Sequence, residues 1–175
     1  FPAIAPKFSG RFPDGHVNDA KGWNFSKKEL LDAAKDGRML TMDIDMTGKA
    51  GCSLSCEHCF NDPKGLRMKM GDLLTDPEVE AVVKEASSLG LRSVKIIGPG
   101  EPLEDKVIFP FLDLLKGLGI QPLIFTKATV LGNDSLAMRI HGLHSEAIAR
   151  RLKDDYGVTI LFGANSFHPE TQALI

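Results

Sequence analysis

All three cysteines of this chain fall in one short segment, Gly51-Cys52-Ser53-Leu54-Ser55-Cys56-Glu57-His58-Cys59-Phe60. An odd count leaves at least one thiol without an internal partner, and bridges across two or three residues would be strained, so a disulfide framework explains the segment poorly. Three soft thiolates on one loop favour a soft metal or an iron–sulfur cluster. A structural zinc site wants a fourth ligand. His58 is adjacent to Cys59, and neighbouring residues rarely converge on one tetrahedral ion. His16, His141, His144 and His168 have no finger-like spacing to the cysteines. A zinc or redox loop remains the plainer alternative on this segment alone.

The rest of the composition is that of an ordinary globular protein. Of 175 residues 43% are hydrophobic and 25% charged, enough apolar surface to build a core. Lys+Arg number 21 against 23 Asp+Glu, a formal net charge of −2, so nothing asks for nucleic acid or an anionic membrane. No apolar run has the length that spans a bilayer.

The cysteines follow a strand. Met42, Ile44 and Met46 alternate with Thr41, Asp43 and Asp45, the period of two. Gly48 and Gly51 then mark a loop. Before the strand, Ser26-Lys27-Lys28-Glu29 predicts a capping box and a helix that Gly37 stops. After the cysteines, Thr75-Asp76-Pro77-Glu78 opens a second helix, whose apolar residues Val79, Val82, Val83, Ala86 and Leu89 run to Gly90. Ser93–Ile97 is the second strand. A helix carrying Phe111, Leu112, Leu115 and Leu118 leads to Gly119 and a third strand to Thr126, with Pro122 near its beginning. A helical region from about Asp134 to Tyr156, broken near Gly142, leads to Gly157 and a fourth strand at 158–162. Strands alternating with helices predict an α/β fold with a parallel sheet and right-handed crossovers. In such folds ligands sit at the carboxyl ends of the strands.

The second strand runs into Gly98-Pro99-Gly100-Glu101-Pro102. Alone this is a turn with a solvated carboxylate. Together with Cys52-x3-Cys56-x2-Cys59 after the first strand, it resembles the core of the radical S-adenosylmethionine (radical SAM) superfamily. With Thr47 leading into the cysteines, it is most similar to the molybdenum-cofactor and SPASM-type branch. The resemblance covers roughly residues 38–167 and implies a parallel (β/α) partial TIM barrel, with about four of six βα units present. Residues 1–37 then read as an N-terminal extension with a capping helix, and 38–175 as the first part of the barrel. Phe1 in place of Met, and an end just after the fourth strand, lead us to expect a piece of a longer chain with an open apolar edge at that strand.

The resemblance further implies a [4Fe–4S] cluster on Cys52, Cys56 and Cys59, whose fourth iron is left for SAM. In the family the cluster reductively cleaves SAM, and the resulting 5′-deoxyadenosyl radical abstracts hydrogen from a substrate. Gly100 and Glu101 correspond to the family's Gly-Gly-Glu-Pro turn, which binds the methionine amino group; Pro99 splits the glycine pair. His58 stands where an aromatic residue commonly lies beside adenine. Thr126-Lys127 stands where relatives often have Thr-Asn-Gly, and a cation at Lys127 could meet the methionine carboxylate. Asn165 and Ser166 follow the fourth strand, where relatives place a polar residue near the ribose. Expected partners are SAM, an unidentified substrate and an electron donor such as flavodoxin or ferredoxin. The reaction would be peptide or protein modification or cofactor biosynthesis. An oxygen-sensitive cluster implies a reducing cytoplasm. The rival expectation is a non-enzymatic iron–sulfur or zinc-binding module. Plainer assignments cover the remainder: Arg150, Arg151 and Lys153 as a solvated helix face, Met39, Met42, Met46, Met68 and Met70 as core filler, and Trp23 as packing over the barrel.

Overall fold

The computed structural model describes residues 25–46, 52–54, 56, 74–98, 100–164, 166, 168 and 170. Thr47, His58, Cys59, Asn165, His16, Trp23, Met68 and Met70 lie outside the described residues.

Helix α1 (Lys27–Lys35) starts at the expected box. The Ser26 hydroxyl accepts from the Glu29 N–H at 3.2 Å, and Glu29 Oε2 accepts from the Ser26 N–H at 2.9 Å. Strand β1 (Thr41–Asp45) follows. Helix α2 (Asp76–Ser88) repeats the device with Thr75 and Glu78, and Pro77 lies in the first turn, where no intrahelical donor is required. Strand β2 (Ser93–Ile97), a short 3₁₀ turn at Pro102–Glu104, helix α3 (Ile108–Gly117) and strand β3 (Gln121–Thr126) come next. Two short helices, α4 (Thr129–Gly132) and α5 (Asp134–His141), lead to α6 (Ser145–Arg150). A π-helical turn at Arg151–Asp155 continues α6 into strand β4 (Thr159–Phe162). The break at Gly142 falls where its sequence suggests, with φ 66°.

The helix-to-strand junctions share one mechanism. After α2 the Gly90 N–H donates to Ser87 O and the Leu91 N–H reaches back to Ala86 O, at 3.0 and 3.1 Å. After α3 the Gly119 N–H donates to Lys116 O and the Ile120 N–H to Leu115 O, at 3.1 and 2.9 Å. This pair of bonds requires a left-handed residue, and Gly90 (φ 95°) and Gly119 (φ 70°) supply it. Leu91 and Ile120 are thereby buried at the start of the next strand.

The strands form one parallel sheet in the order β1-β2-β3-β4. Ile44, Ile96, Ile124 and Ile160 stand in register across it. Ile96 and Ile124 are fully buried in a core with Val83 and Ala86 of α2, Leu112 and Leu115 of α3, and Ile148 and Leu152. Met42 and Met46 pack against that core, whereas Met39 is exposed, so only part of the expected methionine filler is filler. The opposite face carries Asp43, Lys95, Leu123 and Thr159 in register, with Lys95 Nζ 3.6 Å from Asp43 Oδ1. Strand β4 closes the order at an edge, and Phe162 on it is 60% exposed.

Arg151 departs from the solvated helix face expected of it. Its guanidinium lies 4.2 Å from the Phe109 ring centre and donates to the Tyr156 hydroxyl at 3.0 Å, while that hydroxyl donates to Asp113 at 2.8 Å.

Two substitutions test this account. Leu112→Ala removes a fully buried side chain and should cost about 2–5 kcal/mol in urea denaturation. Gly119→Ala places a Cβ in open space, so its cost is that of the backbone alone, about 1–2 kcal/mol.

Candidate functional site

The carboxyl ends of the strands bring together the segments that the sequence singles out. Glu101 leaves β2 and is 2% exposed. One carboxylate oxygen accepts from the Thr126 hydroxyl and from the Leu103 N–H, the latter at 3.2 Å. The other accepts from the Lys127 N–H at 2.7 Å. Glu101 is therefore no solvated loop acid; it fastens the exit of β2 to the exit of β3. Burial pushes its pKa above the ordinary 4.5, against the lowering effect of the three hydrogen bonds, and the charge of Glu104 adds to the rise.

Thr126 is equally buried, and its hydroxyl is committed twice, donating to Glu101 and accepting from the Ala128 N–H at 2.7 Å. Ala128 sits at φ 58°, ψ 31°, a left-handed conformation that an alanine adopts only at a cost. That turn aims the Lys127 N–H at Glu101. The Lys127 side chain runs past Gly163, where an added Cβ would lie 3.5 Å from its Cδ. Gly100 is half-buried beside Glu101. Ser166 is also half-buried, and its hydroxyl accepts from the His168 N–H at 3.0 Å, a local turn bond.

Glu104 escaped the sequence reading. Flanked by Leu103 and Asp105 in a 3₁₀ turn, it is 8% exposed. Its Oε2 accepts from the Ser53 N–H at 2.8 Å, and its Oε1 accepts from the Ser53 hydroxyl at 2.5 Å and from the Thr129 hydroxyl at 2.7 Å. The cysteine segment is thus tied to the turn after β2 and to the start of α4. A second acid three residues after Glu101 was the available signal, and Asp105 and Lys106 beside it made it look like one more charge of a solvated loop. Behind this turn, His141 Nε2 donates to the Leu103 carbonyl at 2.7 Å, and the ring meets Phe109 edge-on. His144 pairs with Asp134 at 3.1 Å. Both histidines are engaged away from the cysteines.

Cys52 and Cys56 are free thiols, exposed and half-buried respectively. Partial burial pushes the Cys52 thiol up; the Leu54 backbone opposes this, while the carboxylates of Glu104 and Glu101 reinforce it. Such a thiol gives up its proton when a metal takes the proton's place. Among the described residues no three His, Cys, Asp or Glu side chains gather as a metal site. Thiolates are the donors that an iron–sulfur cluster takes, and Cys52 and Cys56 are two of the three in this segment. An open cavity of about 590 Å³ is lined by Ser53 and Leu54 of the segment and by Lys127, Thr129, Asn133 and Phe162 among others.

Two predictions follow from the turn after β3. Because Glu101 binds its proton more tightly when folded, stability should fall as pH rises from near 4.5 through the raised value and stay low above it. Urea midpoints across pH should show that slope, and Glu101→Gln should flatten it. Ala128→Gly removes a left-handed penalty of about 1–2 kcal/mol and adds about 0.4–1 kcal/mol of unfolded-chain entropy, so a net gain of about 0.5 kcal/mol is expected in the same assay.

Comparison with known proteins agrees with this chemistry. Residues 47–132 match the family model described as a 4Fe-4S single cluster domain. A probable GTP 3′,8-cyclase of Methanothermobacter marburgensis is 27% identical over 106 residues, 60% of this chain and 33% of the relative. The GTP 3′,8-cyclase of Geobacter sulfurreducens is 30% identical over 56% of this chain and 29% of its own length. That of Clostridium perfringens strain 13 is 31% identical over 64% of this chain and 35% of its own. The chain spans about a third of the length of these relatives. No solved structure matches it. Among the described residues no helix is long and apolar enough to cross a membrane. Over the part that these matches cover, the chain is similar to the radical SAM core of the molybdenum-cofactor branch and to a 4Fe–4S single cluster domain.

Proposed function

We propose that residues 38–175 form the cluster- and SAM-binding part of a radical SAM enzyme, with residues 1–37 as an extension ahead of it. The observation that carries this reading is the meeting of the cysteine segment and the Glu101 turn at one end of a parallel sheet, joined through Glu104 and Ser53. Cys52, Cys56 and Cys59 would hold a [4Fe–4S] cluster. When bound and reduced, that cluster supplies the electron that cleaves SAM to methionine and a 5′-deoxyadenosyl radical, which takes hydrogen from the substrate.

The chain's own residues bind and orient. Glu101 and the carbonyls around Gly100 accept the methionine ammonium; the carboxylate is already fixed by three donors, so little ordering remains to be done on binding. Thr126 acts through Glu101 rather than on the ligand. Lys127 would meet the methionine carboxylate, His58 the adenine and Ser166 the ribose. The cavity beside Ser53 and Lys127 offers room for the ligand and apolar walls at Leu54, Leu131 and Phe162. An electron donor such as flavodoxin or ferredoxin would serve it in a reducing cytoplasm. The activity named for the relatives favours a small molecule, such as a nucleotide, over a peptide as substrate.

Anaerobic reconstitution with iron and sulfide should give the brown absorption of a cluster, and Cys52→Ala, Cys56→Ala and Cys59→Ala should each abolish or sharply reduce it. Reductant-dependent release of 5′-deoxyadenosine from SAM should follow. Glu101→Gln removes a charge-assisted contact of about 2 kcal/mol, and should weaken SAM binding about 30-fold in equilibrium dialysis. The matching family's description concerns the cluster alone, which favours one second reading, a non-enzymatic iron–sulfur module. Cluster uptake with no SAM affinity and no 5′-deoxyadenosine would decide for it.

A further inference from the structure

We propose that Glu104 is a positioning residue for the cysteine loop, latching it to the sheet and keeping a buried negative charge beside the cluster site. The proposal rests on the cluster-binding reading above. Three donors converge on Glu104: the N–H and the hydroxyl of Ser53, and the hydroxyl of Thr129. Ser53 is the residue after Cys52, so both polar groups next to the first ligand are committed to one carboxylate 51 positions away. Two consequences follow. The loop is preorganised before any metal arrives, because the residue after Cys52 is held by Glu104 in the turn after β2, and Glu104 is itself held by Thr129 at the start of α4. The Ser53 N–H, which on a loose loop could bond to a cluster sulfur, is taken by the carboxylate instead. Fewer hydrogen bonds to sulfur and an added negative charge nearby both lower a cluster's reduction potential. A low potential is what reduction of a sulfonium demands.

The two roles separate by substitution in the intact protein. Glu104→Ala should reduce iron and sulfide uptake on anaerobic reconstitution by about tenfold or more. Ser53→Ala, on an exposed residue away from the core, should give part of that loss, and the double variant no more than Glu104→Ala alone. Glu104→Gln keeps the shape and an acceptor, so it should restore most of the uptake while the cluster midpoint potential, measured by redox titration with electron paramagnetic resonance, moves upward. If Glu104→Ala does not fold, the Ser53→Ala and Glu104→Gln results decide. Uptake and midpoint unchanged from the wild type in every folded variant overturn this inference and leave the functional reading intact. A wild-type chain that takes up no cluster overturns both.

Discussion

Glu101 accepts hydrogen bonds from a hydroxyl at the end of β3, from the backbone just beyond it and from its own turn, and nearly every functional feature of the molecule hangs on that buried carboxylate. Burying an acid is unfavourable unless donors surround it. Here the donors are supplied by the left-handed turn at Ala128, by the buried Thr126 and by the 3₁₀ turn that Glu101 caps. The cost is only partly offset, because the pKa of Glu101 still sits above its ordinary value. An incompletely compensated buried acid at a strand end contributes little to stability. It is well suited to receive a cation, which would supply what the protein withholds.

Glu104 extends the same logic by one turn. Glu101 joins β2 to β3, and Glu104 joins that pair to the cysteine segment and to α4. His141 holds the turn from behind through Leu103, packed on Phe109, whose ring also carries the Arg151 guanidinium. The carboxyl end of the sheet is therefore a connected polar layer resting on an aromatic one. A connected layer is rigid, and rigidity is what a site needs when it must hold a reactive group in one position.

Much of this was legible in the sequence because it rests on short-range rules. The capping boxes at Ser26 and Thr75 and the glycines after α2 and α3 are local codes, and the chain folds as they direct. The alternation of Met42, Asp43 and Ile44 likewise fixed the strand and its faces. The cysteine spacing pointed to the iron–sulfur segment that the 4Fe-4S single cluster domain model matches. What could not be read were interactions between distant positions. Nothing around Glu104 says that it will meet Ser53, and nothing in Arg151 distinguishes it from its solvated neighbour Arg150 until Phe109 is brought beneath it. Ala128 is a different case. A left-handed residue normally announces itself as glycine, and here tertiary bonds to Thr126 and Glu101 override the propensity.

The two faces of the sheet show why the cofactor chemistry is easier to infer than the substrate. The face bearing Ile44, Ile96 and Ile124 is apolar and is consumed by the helices. The other face mixes Asp43 and Lys95 with Leu123 and Thr159, a combination that neither packs as a hydrophobic core nor forms a recognisable motif. Charged side chains in the middle of a parallel sheet are costly unless something polar or aqueous lies over them. Ile97, Phe125 and Leu161 share that face, so it is neither wholly polar nor wholly apolar. The cysteine segment and the Glu101 turn are marked by a few residues at fixed spacing on two successive loops. The other face is set by single residues contributed one per strand, and each is an ordinary residue until the sheet aligns them.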